Sequence, residues 1–572
     1  REGWITKTRT SVAGGVTKDT VYDYDTGGRL RKVTYASGDN YAFYLWYDYD
    51  SAGRLHKIYH NTTNSKPGTS SAEYAYNARG QITQEKLGGT VQTVDFTYNT
   101  RGLLTKINDP ASLGSDRFAM QIGYDAKVSG GPSTGWSAEK NGNLSQIKWI
   151  NRKFDDNALY YTFDYNSRDF LTTANNSDDN YDVTYGFDDN GNLTSLNRGT
   201  AWTYNYDGDE ANTNRVDDIT NLTSHNNWDY NLNGHQTKDT NGSFSSATFW
   251  FPGAAFHDIT MSGGTLEMRY DKNNQRVQKK VAGGTTTNYM RDIRGLVLAV
   301  FNSTTISERY VWGPLGIVAI VKGNNSSPTT YYTIKDHLGA VRTVVNTGGT
   351  AVAGYDYYPY GLNLRSSVNA GASCRFLFGG KELDTELSLD LYYFEARFMN
   401  PEVSRFTSPD AARSGPGPYS FSAGNPLKYV DPNGLSPSPA RECVGCNLED
   451  RAIYGTLRAY SGFGEVGAQL MGTSQFGGEI PCSGCPVSNP SSGRVASEVS
   501  DNDPEDPYLK ALKKAIRYEE CLNRAAEWHH DCYIRADSGA PGLHPVARGA
   551  NRLMCDVVYE TREAICTVKF IS

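Results

Sequence analysis

The chain has 572 residues, 39 of them Tyr and 58 Gly, and only 38% are hydrophobic. That balance points to many short strands joined by tight turns and argues against a few large helical cores. A net charge of −7 leaves no electrostatic footprint for nucleic acid, and no run of about 18 apolar residues is present to cross a membrane as a helix.

From Arg1 to about Gly361 one pattern recurs: aromatic, any residue, Tyr or Phe, Asp or Asn, two or three residues, Gly, polar, Leu or Ile. Copies stand at Tyr22 to Leu30 (YDYDTGGRL), Tyr47 to Leu55 (YDYDSAGRL), Tyr74 to Ile82 (YAYNARGQI), Phe96 to Leu104 (FTYNTRGLL) and Tyr185 to Leu193 (YGFDDNGNL). Weaker copies lie at Phe163, Tyr204 and Tyr230. Alternating aromatics share one face of a strand, and Asp or Asn before Gly supplies the reversal because these residues tolerate positive φ. Each unit is therefore a hairpin that cannot bury its own face, so neighbours must stack. The tyrosines read as packing residues, not as catalytic ones. Asp169 stands where the copy around Tyr165 should carry Gly, which predicts a looser turn or one of another type. Periodicity alone also allows an open solenoid or a propeller.

Two blocks follow, Tyr332 to Arg342 (YTIKDHLGAVR) and Tyr355 to Gly361 (YDYYPYG). His337 beside Asp336 could form a catalytic pair, but neighbours along a strand point to opposite faces, which favours a structural turn. Then comes Leu391 to Leu435, LYYFEARFMNPEVSRFTSPDAARSGPGPYSFSAGNPLKYVDPNGL.

This last stretch resembles the core signature of Rhs/YD-repeat proteins. Tyr392, Tyr393, Ala396, Arg397, Pro401, Arg405, Phe406, Ser408 and Asp410 fall on its first half. Asn425, Pro426, Tyr429, Asp431, Pro432, Gly434 and Leu435 fall on its second. The two preceding blocks resemble the D-H-L-G and Y-x-P-Y-G segments of the same family. The sequence departs from the pattern at Ser404, where the family has Gly, and in the Ala-Ala-Arg that follows Asp410.

The resemblance implies a mostly β fold, a YD-repeat β-hairpin shell spiralling around a hollow interior and closed by the Rhs repeat-associated core. It also implies an aspartyl protease that cuts its own chain after Leu435, before Ser436. The matching catalytic residues are Asp410 and Asp431, with Arg405 setting charge balance or ordering a loop. Two carboxylates held close cannot both ionise, so one activates water while the other donates a proton. Both aspartates could instead be turn-formers beside proline. The implied boundaries are 1–361 for the repeats and 362–435 for the core.

The resemblance stops at Leu435. Eight of the nine cysteines lie beyond Arg441, a shift that marks a boundary without reference to any family. Residues 436–507 read as a cysteine-containing linker region. It holds two C-x-x-C pairs, Cys443 with Cys446 and Cys482 with Cys485. These four could hold zinc, form disulfides or stay free. Residues 508–572 read as two helices, Leu509 to Ala536 and Leu553 to about Lys569, making a small, partly helical domain. Cys521 and Cys532 stand eleven positions apart, as do Cys555 and Cys566. That is about three helical turns, so an antiparallel hairpin would join Cys521 to Cys566 and Cys532 to Cys555. Four buried thiols on an apolar seam are the other reading. His529, His530, His544, Glu527, Arg548 and Arg552 are catalytic candidates whose spacing matches no defined motif.

Together these features predict the C-terminal part of a secreted polymorphic toxin whose shell encloses a cargo freed by autoproteolysis. Its expected partners are an immunity protein and a secretion apparatus, with no cofactor. A cell-surface YD-repeat scaffold, binding carbohydrate or serving adhesion with a non-enzymatic tail, is the alternative. The start at Arg1 marks the chain as a fragment, so an absent signal peptide says nothing about export.

Overall fold

A computed structural model describes residues 5–440 apart from short segments at 13–15, 134, 207–213, 223–227, 240–243, 250–254, 272 and 413–415. Several expectations fall outside the described residues. These are the linker region with the candidate zinc or disulfide cysteines Cys443, Cys446, Cys482 and Cys485, and the helical hairpin with Cys521, Cys532, Cys555, Cys566 and its histidines. The ninth cysteine, Cys374, is described, and it is a buried free thiol.

Strands fill the described part, joined by turns and four single-turn 3-10 segments. Within each sheet a strand pairs antiparallel with the next in sequence, giving a 17-stranded sheet over Lys7–Thr220, a hairpin of Trp228–Tyr230 with Gln236–Asp239, and a 12-stranded sheet over Ser246–Val368.

The repeated motif explains the hairpins atom by atom. At Asp50 the carboxylate Oδ1 accepts the backbone N–H of Ala52 and of Arg54, both at 2.9 Å. Gly53, at φ +82°, donates its N–H to the Asp50 carbonyl at 3.0 Å. Asn77, Asn99, Asn166, Asp188, Asn231 and Asp271 each accept the same pair of N–H groups, two and four residues on. The Asx side chain thus satisfies donors that the turn leaves unpaired. A bulge falls at the preceding aromatic, as between Asp48 and Tyr49, and bends the hairpin toward its neighbour.

The tyrosine before the Asx joins one hairpin to the one before it. Tyr49 donates to the Leu30 carbonyl at 2.8 Å, Tyr76 to Leu55 at 2.6 Å, Tyr98 to Ile82 at 2.8 Å and Tyr165 to Leu144 at 2.8 Å. Arg29 and Arg54 lay their guanidinium groups over the rings of Tyr49 and Tyr76, at 4.7 and 4.5 Å. Each such tyrosine adds ring burial and one hydrogen bond of about 1 kcal/mol to the stacking.

The turn at Asp169 is not looser. Asp169 adopts φ +62°, and its N–H reaches the Asn166 carbonyl at 3.0 Å, as glycine does in the other copies. Its carboxylate accepts from Asn141 at 2.7 Å and Asn143 at 3.0 Å, and these bonds offset the strained backbone. The D-H-L-G block forms the same turn: Asp336 Oδ1 accepts from Leu338 and Ala340 at 2.9 and 3.0 Å. His337 points elsewhere, its Nε2 lying 3.1 Å from the Leu427 carbonyl.

The inward faces of the two large sheets touch through one apolar cluster that draws residues from both. Tyr41 meets Phe301 edge-on at 5.6 Å, and the Arg342 guanidinium lies 5.1 Å from Phe118 and 5.5 Å from Trp149. Buried Lys335 pairs with buried Glu85 at 3.4 Å across the same interior.

The core segment is locked to the repeats by buried charge and by turn contacts. Arg276 Nη2 bonds Glu382 at 2.7 Å and Asp384 at 3.0 Å, and Lys279 bonds Asp384 at 2.6 Å. Tyr204 donates to the Val403 carbonyl at 2.9 Å, Tyr419 to Gly234 at 2.6 Å, and Asn425 to Asn143 and Asp169 at 3.1 and 3.0 Å. The core therefore rests on the turn ends of several hairpins.

Candidate functional site

Arg397 lies at the centre of the candidate site. It precedes strand Phe398–Asn400, which pairs with Arg405–Phe406 through a tight reversal. Ser404 takes φ +59° there, the conformation that favours the family's glycine. The Arg397 side chain is 2% exposed and lies 3.7 Å from the Phe406 ring, which packs in turn on Phe394 and Phe421.

Both expected aspartates face that guanidinium. Arg397 Nη2 is 3.4 Å from Asp431 Oδ2 and 3.9 Å from Asp410 Oδ2. Asp410 and Asp431 are 7% and 3% exposed, so the three charges share a poorly hydrated space. Burial raises the Asp431 carboxyl above its usual range, against the pull of Arg397. Burial also lowers Arg397 against the pull of the two carboxylates.

Asp431 opens a turn that carries the Leu435–Ser436 bond. Its Oδ1 accepts the backbone N–H of Gly434 at 2.8 Å, Leu435 at 3.1 Å and Ser436 at 3.3 Å. Arg397 Nε donates to the Gly434 carbonyl, and Ala396 N–H to the Asn433 carbonyl at 3.1 Å. Gly434 has φ +75°, and a Cβ there would stand 2.7 Å from the Phe394 carbonyl oxygen. Only glycine fits this approach, which accounts for its place in Asp-Pro-Asn-Gly-Leu. Beyond the turn, Ser438–Pro439 pairs with Tyr429–Val430. Asp410 is fixed on the other side by its N–H to Pro418 O at 2.7 Å and by the Ala412 N–H on its Oδ1 at 2.8 Å.

Arg405, the arginine expected with the aspartates, sits elsewhere. Its guanidinium lies 4.5 Å from the Tyr419 ring and 5.6 Å from Trp228, and donates to the Asn214 carbonyl at 3.3 Å. Among the described residues, Arg397 is the cation ion-paired to both aspartates. The sequence carried a signal for it, since Arg397 falls on the core motif, but its pairing spans 13 and 34 positions of chain. Chemically, the arrangement offers two buried carboxyls bridged by one guanidinium, one of them touching the nitrogen of the Leu435–Ser436 amide.

A family model, the teneurin YD-shell, matches residues 139–415. Salivary gland surface protein 1 of Aedes aegypti is 30% identical over 187 residues, covering 30% of this chain and 5% of that protein. Toxin subunit YenC1 of Yersinia entomophaga is 25% identical over 217 residues, covering 34% of this chain and 22% of that protein. In fold, the chain is similar to the Photorhabdus luminescens Tc holotoxin pore, with TM-score 0.58 and 19% identity over 76% of this chain and 22% of the other. It is also similar to the TcdB2-TccC3 crystal structure, with TM-score 0.54 and 19% identity over 73% and 22%. The chain thus spans about a fifth or less of the length of these relatives. The core motif, the Asx-turn hairpins and these likenesses agree on one fold: the chain carries a YD-shell, matched by the teneurin YD-shell model over residues 139–415, and is similar to YD-repeat shell proteins of the Rhs type.

Proposed function

We propose that this chain is part of a secreted polymorphic toxin, with a shell that cuts itself after Leu435 and so frees the segment from Ser436 onward. The observation that carries the reading is the 3.3 Å approach of Asp431 Oδ1 to the Ser436 nitrogen. In this reaction Asp410, ionised, takes a proton from water as the water oxygen attacks the Leu435 carbonyl carbon. Asp431, protonated, gives its proton to the Ser436 nitrogen as the carbon–nitrogen bond breaks. The products are a carboxyl on Leu435 and an amine on Ser436. Arg397 keeps the shared charge of the pair tolerable through both steps, and Arg405 supports the loop from the side. Toxin subunit YenC1 and the Tc holotoxin among the relatives favour this reading.

A second reading has one observation in its favour, the 30% identity to a protein named for the salivary gland surface. There the repeats would be a cell-surface scaffold contacting carbohydrate, and the tail would do no chemistry. Expressing residues 436–572 in cytoplasm and in periplasm separates the two. Growth arrest in either compartment, relieved by a cognate immunity protein, supports the toxin; normal growth in both supports the scaffold.

A further inference from the structure

Arg309 is fully buried, on strand Thr305–Gly313, and among the described residues no carboxylate pairs with it. Nη1 donates to Asn325 Oδ1 and Nη2 to the Gly323 carbonyl, while among the described residues Nε has no hydrogen-bond partner. The guanidinium faces the ring of Phe43 at 5.7 Å. Phe43 lies in register with Tyr35 on the neighbouring strand. Tyr35 is 1% exposed, and its hydroxyl also lacks a partner among the described residues. The two groups are near enough that each shifts the other's titration: burial raises Tyr35 and lowers Arg309 to about 10, and each charge opposes that shift.

The other ionisable groups here do not neutralise Arg309. Asp39 acts on Tyr35 but is ion-paired with Lys18. His60 stands on the same inward face, 5.9 Å from Phe43, with Nδ1 2.6 Å from Ser71 Oγ. It keeps part of its surface in solvent, yet the packing around its imidazole and the charge of Arg309 hold it down to about 4. It is therefore neutral at pH 7. Where the two large sheets meet, one positive charge stands without an opposite among the described residues, with two lone donors, its own Nε–H and the Tyr35 O–H.

We propose that Arg309 and Tyr35 bind a small monovalent anion of the halide class, which pins strands Leu30–Tyr35 and Phe43–Tyr49 to strand Thr305–Gly313. A halide accepts from both the Nε–H and the phenol O–H and cancels the charge. A bridging water could accept from both lone donors but would cancel none of the charge. Asn325 closes the side of the site, its Nδ2 donating to the Ala42 and Thr62 carbonyls at 3.0 and 3.4 Å.

The test is thermal unfolding of the full chain in sodium chloride and in sodium gluconate at equal ionic strength, paired with anomalous diffraction from bromide-soaked crystals. The expected result is a saturable rise in Tm of about 2–4 °C in chloride, with a bromide peak beside Arg309 Nε and Tyr35 Oη. Arg309→Met should melt alike in both salts, and Tyr35→Phe should need more chloride for the same gain. Equal melting of the parent in both salts, or no bromide peak at the seam, overturns the proposal. So does a chloride gain that persists in Arg309→Met, which would place the ion elsewhere. If Arg309→Met fails to fold, the parent's bromide map decides alone.

Discussion

The Oδ1 of Asp431 lies 3.3 Å from the backbone nitrogen of Ser436, five residues further along the chain. The same oxygen holds the N–H groups of Gly434 and Leu435, so one carboxylate fixes the whole turn that contains the expected cut. In the proposed self-cleavage, structure-making and chemistry would converge on this side chain, and each can be tested separately.

Arg397 and Arg405 should behave differently when changed. Arg397→Gln removes the cation that both aspartates face, so the rate of self-cleavage should fall by at least about 10²-fold. Arg405→Gln should keep cleavage within about tenfold and lower the unfolding midpoint, because its contacts are to Tyr419, Trp228 and Asn214. Timed gels of freshly refolded protein read both rates. Equal losses would contradict the division of roles.

The pH dependence has a definite sign. Burial raises Asp431 in the folded state above its unfolded range. Its contribution to stability is therefore fully present below the unfolded pKa and is lost as pH rises through the folded one. In the proposed mechanism the proton that Asp431 gives to Ser436 is lost over the same window, so cleavage should slow as pH rises through the raised pKa. Rates measured from pH 4 to 8 should show that limb, and a rate that climbs steadily with pH would exclude Asp431 as the proton donor.

Asp169 allows a test of what replaces glycine in a turn. Asp169→Ala keeps the unfavourable φ and loses the bonds from Asn141 and Asn143, for a cost of about 2 kcal/mol. Asp169→Gly relieves the backbone and loses the same bonds, for a cost of about 1 kcal/mol. Denaturant midpoints should rank parent, Gly variant, Ala variant. A Gly variant more stable than the parent would show that the two asparagine bonds contribute less than the backbone strain they offset.

The repeat pattern was legible because its causes are local. An Asx side chain reaches N–H groups two and four residues away, so Asp50 and Asn77 could be read as turns from the sequence. The tyrosine bonds were not legible, because Tyr76 meets Leu55 only after two hairpins have stacked. Asp169 misled for the same reason: Asn141 and Asn143 lie in another loop. The aspartates of the site followed from the core motif. The choice of Arg397 over Arg405 as their partner required the fold, since it depends on which arginine Phe406 and the Asp431 turn enclose.

The tyrosine bonds can be weighed directly. Tyr76→Phe removes only the hydroxyl donating to Leu55 and should cost about 1 kcal/mol. Asn77→Ala, in the turn that follows, removes an acceptor for two N–H groups and should cost about 1–2 kcal/mol. Because the groups adjoin, the double variant should deviate from additivity. An unchanged urea midpoint in Tyr76→Phe would mean that ring burial alone stacks the hairpins.

The most direct test of the self-cleavage account is the intact mass of the purified chain beside its Asp410→Asn and Asp431→Asn variants. The account predicts two species from the parent, one ending at Leu435 and one beginning at Ser436, and a single full-length species from each variant. A parent that stays full-length after prolonged incubation across pH 4 to 8, or a fragment that begins anywhere but Ser436, would contradict it.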